Sequence, residues 1–283
     1  NSKEKWARSI VLFIISVIML VPFVMMVATS LKTSSEINSP VFHFFPEHVQ
    51  FSNYGTALKT GNWGLYFFNS ILVTATVTIV SMFLNSLAGY AIARLDFRFK
   101  SLLFGSILLG LMIPPQITMV PIFIMMKHFP LAGGNDLFGM GGKGFVDSYP
   151  GLMINHMAGA FGIFLCRQYY LGFPVELDEA AEMDGSSTWG RYVRIYLPLS
   201  GPVLGSLAVL KLTSTWNDYI WPLVITNSES MRTVQLALTV FKNENVQWEL
   251  LMAATTVITL PLVFVFMFAQ KYFVKGMLTS GLK

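Results

Sequence analysis

The residues with the most evident chemistry are carboxylates: Glu176, Asp178, Glu179, Glu182 and Asp184, closed off by Gly185. Paired carboxylates carry glycoside hydrolysis when a pocket encloses them. These lie in a short polar interval between two hydrophobic stretches, which lacks that enclosure, and a plain solvated acidic helix is the competing reading. His43 and His48 are five apart, but a third ligand is not nearby and His43 sits within Phe42-His43-Phe44-Phe45, so a packed surface loop is expected there. Gly142-Lys143 is followed by Gly144 rather than Ser or Thr, and lacks a preceding strand, so it is not a phosphate loop. Cys166 has no cysteine to pair with. No segment gathers a nucleophile, a base and an orienting group. The expectation is a chain without catalytic residues, metal site or cofactor of its own.

The elements that position the acidic interval follow from composition. Of 283 residues, 54% are hydrophobic and only 12% charged, about half the charge of a soluble chain (roughly 25%). A lipid-facing surface accounts for that deficit. Each crossing needs about 20 apolar residues, and six stretches qualify: about 9–31, 66–93, 101–125, 150–171, 199–225 and 250–274. Almost nothing is left for a soluble domain, so a single all-α polytopic domain over 1–283 is expected; stretches this long exclude a β-barrel. With the amino terminus inside, twelve Lys and Arg fall in inside segments against six outside, with Lys211 in a span. That asymmetry puts both termini and the 172–198 loop in the cytoplasm. The net charge of +4 is then topology, not nucleic-acid affinity. The first apolar run is too long for a signal peptide and lacks a cleavage site, so an uncleaved transmembrane helix is expected.

Small residues from Ala88 to Ala93 in the second span allow another helix to approach closely. Pro114-Pro115, and again Pro121, interrupt the third span. Either the helix ends at Met112 and resumes as a short re-entrant piece, or the break borders a transport path, and the two are compatible. The glycine-rich outside stretch from Gly133 to Gly144 reads as a flexible surface loop.

Within the acidic interval, Pro174 suits a helix start and the first acids suit the positive end of its dipole. Gly185 suits a left-handed cap. Ser186 or Ser187 starts a second helix through Trp189 and Tyr196, which Pro198 should end. Leu177, Ala180, Ala181 and Asp184 share one face at helical spacing.

This loop resembles the coupling loop of permease subunits in binding-protein-dependent ABC importers. The residues that carry the resemblance are Glu179, Ala180, Ala181, Asp184 and Gly185, then Ile195, Leu197 and Pro198. Thr215-Trp216-Asn217-Asp218-Tyr219-Ile220-Trp221-Pro222-Leu223 looks like a segment of maltose-type carbohydrate permeases, and the tail from Gln270 to Lys283 is similar to their carboxyl terminus. The resemblance implies a type I ABC importer permease fold in a bacterial cytoplasmic (inner) membrane. It implies a second permease subunit as heterodimer partner, two ATP-binding subunits that hold ATP and Mg, and an extracytoplasmic solute-binding protein. The coupling loop and the tail residues Gly281, Leu282 and Lys283 would meet the ATPases.

Intramembrane polar residues are functional candidates: Asn155, His156, Lys211, Trp216, Asn217 and Asp218. Lys211 and Asp218 are seven apart and can face one neighbour. Asp218 with Trp216 and Trp221 would offer sugar hydroxyls an acceptor and a stacking surface, or else make an interhelical bond near the outer interface. The substrate expected is an oligosaccharide or sugar derivative. A polyol or glycerol phosphate permease, and an ion-coupled secondary transporter, are the alternatives.

Overall fold

A computed structural model describes the backbone of residues 2–242 and 245–280 and the side chains of 4–242 and 245–268. All regular structure among the described residues is helical. The principal helices are α1 (Ser2–Ser30), α2 (Trp63–Arg94), α3 (Lys100–Met112), α4 (Pro115–Lys127), α5 (Ala160–Leu171), α6 (Glu176–Met183), α7 (Gly201–Trp216) and α8 (Trp248–Ser280). Three of them, α1, α2 and α8, are long and apolar enough to cross a membrane. Bent pairs bring the number to five if each is one span: α3 with α4 at 110°, and Thr188–Leu199 with α7 at 75°. The expected fourth span is divided into Tyr149–Met153, a 3-10 turn Ile154–His156, and α5. The third breaks where the prolines demand. α3 ends at Met112, Ile113 is extended as the residue before proline prefers to be, and α4 resumes at Pro115 and runs on through Pro121, where a second interruption was expected.

The chain divides into two compact units, residues 1–65 with 234–263, and 66–233 with 264–283. In the first, α1 leads into a loop organised by Glu36. Thr33 and Glu36 form a capping box, and Glu36 Oε1 also accepts the N–H groups of Glu47 (2.9 Å) and His48 (3.1 Å). These bonds, that from Thr33 foremost, hold the Glu36 carboxyl below its ordinary pKa. His43 Nδ1 lies 3.2 Å from Glu47.

In the second unit, α2 buries a polar stripe. Its 32 residues at 1.5 Å each span about 48 Å, more than the ~30 Å hydrocarbon core. Beside the apolar Val73, Val77 and Tyr90, its buried face carries the small polar residues Asn69, Thr74, Thr78, Ser81, Asn85 and Ser86. Its exposed face is Phe68, Ile71, Ile79 and Phe83. Lipid tails are as apolar as leucine, so close packing and interhelical hydrogen bonds hold such helices together instead. The approach of α5 is closest at two glycines. A Cβ on Gly89 would lie 2.6 Å from the Cys166 Cβ, and one on Gly162 2.7 Å from the Asn85 amide.

Two apolar cores form along α2. One gathers Val73, Val77, Met126, Leu152, Trp221 and Ile225. The other, towards Arg94, gathers Tyr90, Cys166, Tyr170, Tyr192, Tyr196 and Leu207.

The glycine-rich loop differs from the flexible segment expected. Asn135, 7% exposed, donates to the carbonyls of Lys127 (2.8 Å) and Phe129 (3.0 Å) and accepts the Gly142 N–H (2.9 Å). The backbone of Gly144 passes so close to Met126 that a Cβ would sit 2.2 Å from its carbonyl oxygen. Glycine serves close backbone approach here. Beyond it Asp147 Oδ1 accepts the N–H groups of Asn227 and Ser228, both at 3.0 Å. Burial pushes the Asp147 carboxyl up, but these N–H groups and the Ser228 hydroxyl hold it below its ordinary pKa.

Two outcomes follow. Gly89→Val overpacks the α2–α5 contact and should destabilise the protein by about 1–3 kcal/mol, read as a lower melting temperature in detergent. A depressed carboxyl contributes stability above its unfolded pKa of about 3.9 and loses it as pH falls through the lower folded value. Amide-exchange protection at Asn227 and Ser228 should therefore be full above about pH 5 and collapse only below the normal aspartate range; Asp147→Asn should abolish that acid transition.

Candidate functional site

The acidic interval folds as the helix–turn–helix its residues suggest. α6 ends in a Schellman motif: the Ser186 N–H donates to the Ala181 carbonyl and the Gly185 N–H to that of Glu182, both at 2.9 Å. Gly185 has φ +72°, with open space around a would-be Cβ, so dihedral preference alone selects glycine. Ser187 caps the second helix by accepting the Gly190 N–H at 3.1 Å.

That second helix ends at Leu199, one residue past the stop expected at Pro198. It passes through a π-helical stretch, Tyr192–Tyr196, continues to Leu199, and turns at Ser200 into α7. Proline lacks an N–H and crowds the preceding turn. The π-type bond from the Leu197 N–H to the Tyr192 carbonyl widens that turn just before Pro198, so the chain bends rather than breaks.

Asp178 braces the loop. Its Oδ2 accepts the Tyr196 hydroxyl at 2.6 Å and lies 3.5 Å from Arg94 Nη1 at the end of α2. Its Oδ1 lies 3.9 Å from Arg191, which also pairs with Glu182. Arg94, 8% exposed, donates to the carbonyls of Tyr170 (2.7 Å) and Phe173 at the end of α5, and faces the Tyr196 ring at 5.4 Å. One carboxylate and one guanidinium thus tie α6, the π stretch, α2 and α5 into one knot. Beneath it the Tyr192 hydroxyl donates to Ser86 (3.2 Å), which lies 2.6 Å from the Tyr170 hydroxyl.

The predicted site residues divide by burial. Ala181 is buried at 6% exposure, while Ala180 faces solvent, so the two alanines do not share the one face expected from their spacing. The inward side of α6 is Leu177, Asp178 and Ala181. The outward side is Glu176, Glu179, Ala180 and Met183, the last 88% exposed. Asp184, Gly185 and Pro198 are exposed, whereas Ile195 and Leu197 pack on the tyrosine core. Gly281, Leu282 and Lys283 lie outside the described residues.

Around the divided fourth segment, Lys211 and Asp218 do meet one neighbour. Lys211 Nζ donates to the His156 carbonyl at 2.9 Å, and His156 Nε2 lies 3.1 Å from Asp218 Oδ2. That approach is a charge contact once the ring is protonated, because its angle leaves Nε2 without a hydrogen bond. Asn155 is half-buried beside them, and Asn217 is exposed, its amide donating to the Thr213 carbonyl at 3.0 Å. The stacking surface expected beside Asp218 is not there. Trp216 and Trp221 are 5% and 4% exposed, and the Trp221 indole N–H donates to the Gly151 carbonyl at 2.9 Å. Indoles fill cores here because burial of their large faces outweighs exposure. Among the described residues, no three His, Cys, Asp or Glu side chains gather at metal-binding distance.

Sequence reasoning took Asp178 only as one of the acids at the helix start, without its partners Arg94 and Tyr196, and did not find the tyrosine core or Asn85. The available signals were the small polar residues recurring along α2 and four tyrosines flanking the acidic helix.

Fold and loop together define a helical membrane protein that carries a braced, solvent-facing helix pair. The chain belongs to the family of binding-protein-dependent transport system inner membrane components, which matches residues 85–279; an ion-coupled secondary transporter falls away with that membership. It is 30% identical to the arabinooligosaccharides transport system permease protein AraQ of Halalkalibacterium halodurans, over 98% of this chain and 96% of that one. It is 27% identical to the diacetylchitobiose uptake system permease protein NgcG of Streptomyces coelicolor, over 94% and 84%. The crystal structure of a bacterial ABC transporter involved in the import of the acidic polysaccharide alginate has a similar fold: TM-score 0.78, 22% identity, 96% of this chain and 97% of that one.

Asp178→Ala would leave Arg94 and Arg191 without their shared carboxylate, and removing one partner of a largely buried charged pair costs about 2 kcal/mol or more. The expected outcome is a clear fall in melting temperature, with Asp178→Asn intermediate because it retains an acceptor for Tyr196.

Proposed function

We propose that this chain is a permease subunit of an ATP-driven importer that moves an oligosaccharide or sugar derivative across the cytoplasmic membrane. A solute-binding protein would deliver the sugar to the outer face. A second permease would complete the channel, and two ATP-binding subunits would hold ATP and Mg, this chain binding none itself. Both termini and the loop around α6 would be cytoplasmic.

The observation that carries this reading is the braced helix α6. Its outer ridge, Glu176, Glu179, Ala180 and Met183, combines acid, a small residue and an exposed thioether, a surface shaped to enter a partner's groove. Asp178 and Arg94 connect that ridge to the ends of α2 and α5, so a push on α6 reaches the spans. In this reading Glu179 and Ala180 touch the ATPase, while Ala181, Gly185, Ile195, Leu197 and Pro198 give the loop its shape, with Asp184 at the exposed turn. Gly281, Leu282 and Lys283 would reach the ATPases, and Asn155, His156, Asn217 and Asp218, backed by the buried Trp216, would border the substrate path.

The substrate class is supported by relatives named for arabinooligosaccharides, diacetylchitobiose and, in Rhizobium radiobacter, lactose. A second reading, glycerol phosphate, is supported by 29% identity to the sn-glycerol-3-phosphate transport system permease protein UgpE of Yersinia enterocolitica.

The test is ATP hydrolysis by the reconstituted complex against a panel of neutral oligosaccharides, polyols and glycerol phosphate. Stimulation by one oligosaccharide is expected; stimulation by glycerol phosphate alone would install the second reading. Ala180→Arg should leave the melting temperature nearly unchanged, within about 0.5 kcal/mol as for exposed sites, yet abolish stimulation. Ala181→Arg should destabilise the loop outright.

A further inference from the structure

The divided fourth segment is kept open by side chains from other helices. Between the 3-10 turn and α5 the chain passes through Met157, Ala158 and Gly159, the last fully extended at φ −165°. Asn85 of α2 accepts the Gly159 N–H with Oδ1 at 3.0 Å. Lys211 of α7 caps the other side by donating to the His156 carbonyl at 2.9 Å. Irregular backbone at membrane depth needs such partners, and an ionisable side chain placed there is costly. A continuous helix would need neither residue.

The break also falls between the two cores. The outer piece, Tyr149–Met153, contributes Leu152 and Met153 to the core containing Trp221 and is bonded to Trp221 through the Gly151 carbonyl. The inner piece, α5, contributes Cys166 and Tyr170 to the tyrosine core and ends at the carbonyls that Arg94 holds. Each half of one segment therefore belongs to a different core, and Met157–Gly159 joins them.

We propose that this break is the joint by which motion of the inner core reaches the outer core, and that Lys211 is the positioning residue that latches it. The proposal rests on the ATP-driven reading above. With the ammonium on the His156 carbonyl, α7 and the joint move together; with the latch gone, the outer piece stays on its own core through Trp221, but α7 no longer holds the carbonyl at the joint and part of the push from α6 is lost before it reaches the outer face.

The test uses the whole reconstituted complex carrying Lys211→Met, which keeps the stem and removes the donors, or Lys211→Arg, which keeps a donor. ATP hydrolysis is measured with and without loaded binding protein, alongside uptake. Lys211→Met should keep the basal rate within about twofold of the parent and lose about tenfold of the binding-protein stimulation, the worth of one charged hydrogen bond. Uptake should fall with it, and Lys211→Arg should recover most of both. Parental stimulation in Lys211→Met overturns the latch. So does equal loss of basal and stimulated rates in both variants, the mark of a merely structural lysine. If Lys211→Met does not assemble, Lys211→Leu, which also lacks a donor, takes its place under the same criteria. A parent complex without stimulation would instead overturn the ATP-driven reading itself.

Discussion

The contact between Asp178 and Arg94 is the constraint on which the rest depends. A charged eight-residue helix is too short to be stable alone, since isolated helices below roughly 12–15 residues are marginal in water. α6 persists because its carboxylate reaches a guanidinium that already caps the carbonyls ending α5. The same carboxylate takes the Tyr196 hydroxyl, so the returning helix is fixed by the same atoms. Charge makes this knot strong where it is shielded, and Arg94 is 8% exposed, with the Tyr196 ring on one side and its guanidinium bonded to the Phe173 carbonyl.

That knot has value only if the helices behind it are stiff. α2 supplies the stiffness by packing its small polar residues inward, where α5 comes within contact of Gly89 and Asn85. A helix with large apolar side chains on that face would hold its neighbour farther away, and Arg94 could not reach Tyr170 and Phe173. The polar stripe, the glycine contact and the charged knot are one arrangement: each fixes a distance that the next requires.

Local grammar was legible in the sequence wherever a residue's own backbone decides the outcome. Gly185 takes the left-handed cap, Ser187 the N-cap, and the Pro114-Pro115 pair stops α3 at Met112. It was less legible where tertiary contacts decide. Ala180 and Ala181 are identical in type, and only the packing of α6 on the tyrosine core separates an outward from an inward methyl. Asp178 reads as one more acid at a helix start until Arg94, far away in sequence, is placed beside it. Pro198 does mark the end of its helix to within one residue, but the π-helical stretch leading into it has no signature of its own. The tryptophans near Asp218 read as a sugar platform, but an indole's exposure is settled by its neighbours.

The central claim is that α6 and the inner end of the spans move as one body. The most direct measurement is the distance between spin labels at Met183→Cys on the outer face of α6 and Phe83→Cys on the exposed side of α2, in the whole complex; native Cys166 is buried. The account predicts a single narrow distance that nucleotide binding leaves unchanged, broadening only when Asp178→Asn loosens the knot. A parent distance that shifts or splits when nucleotide binds would contradict it.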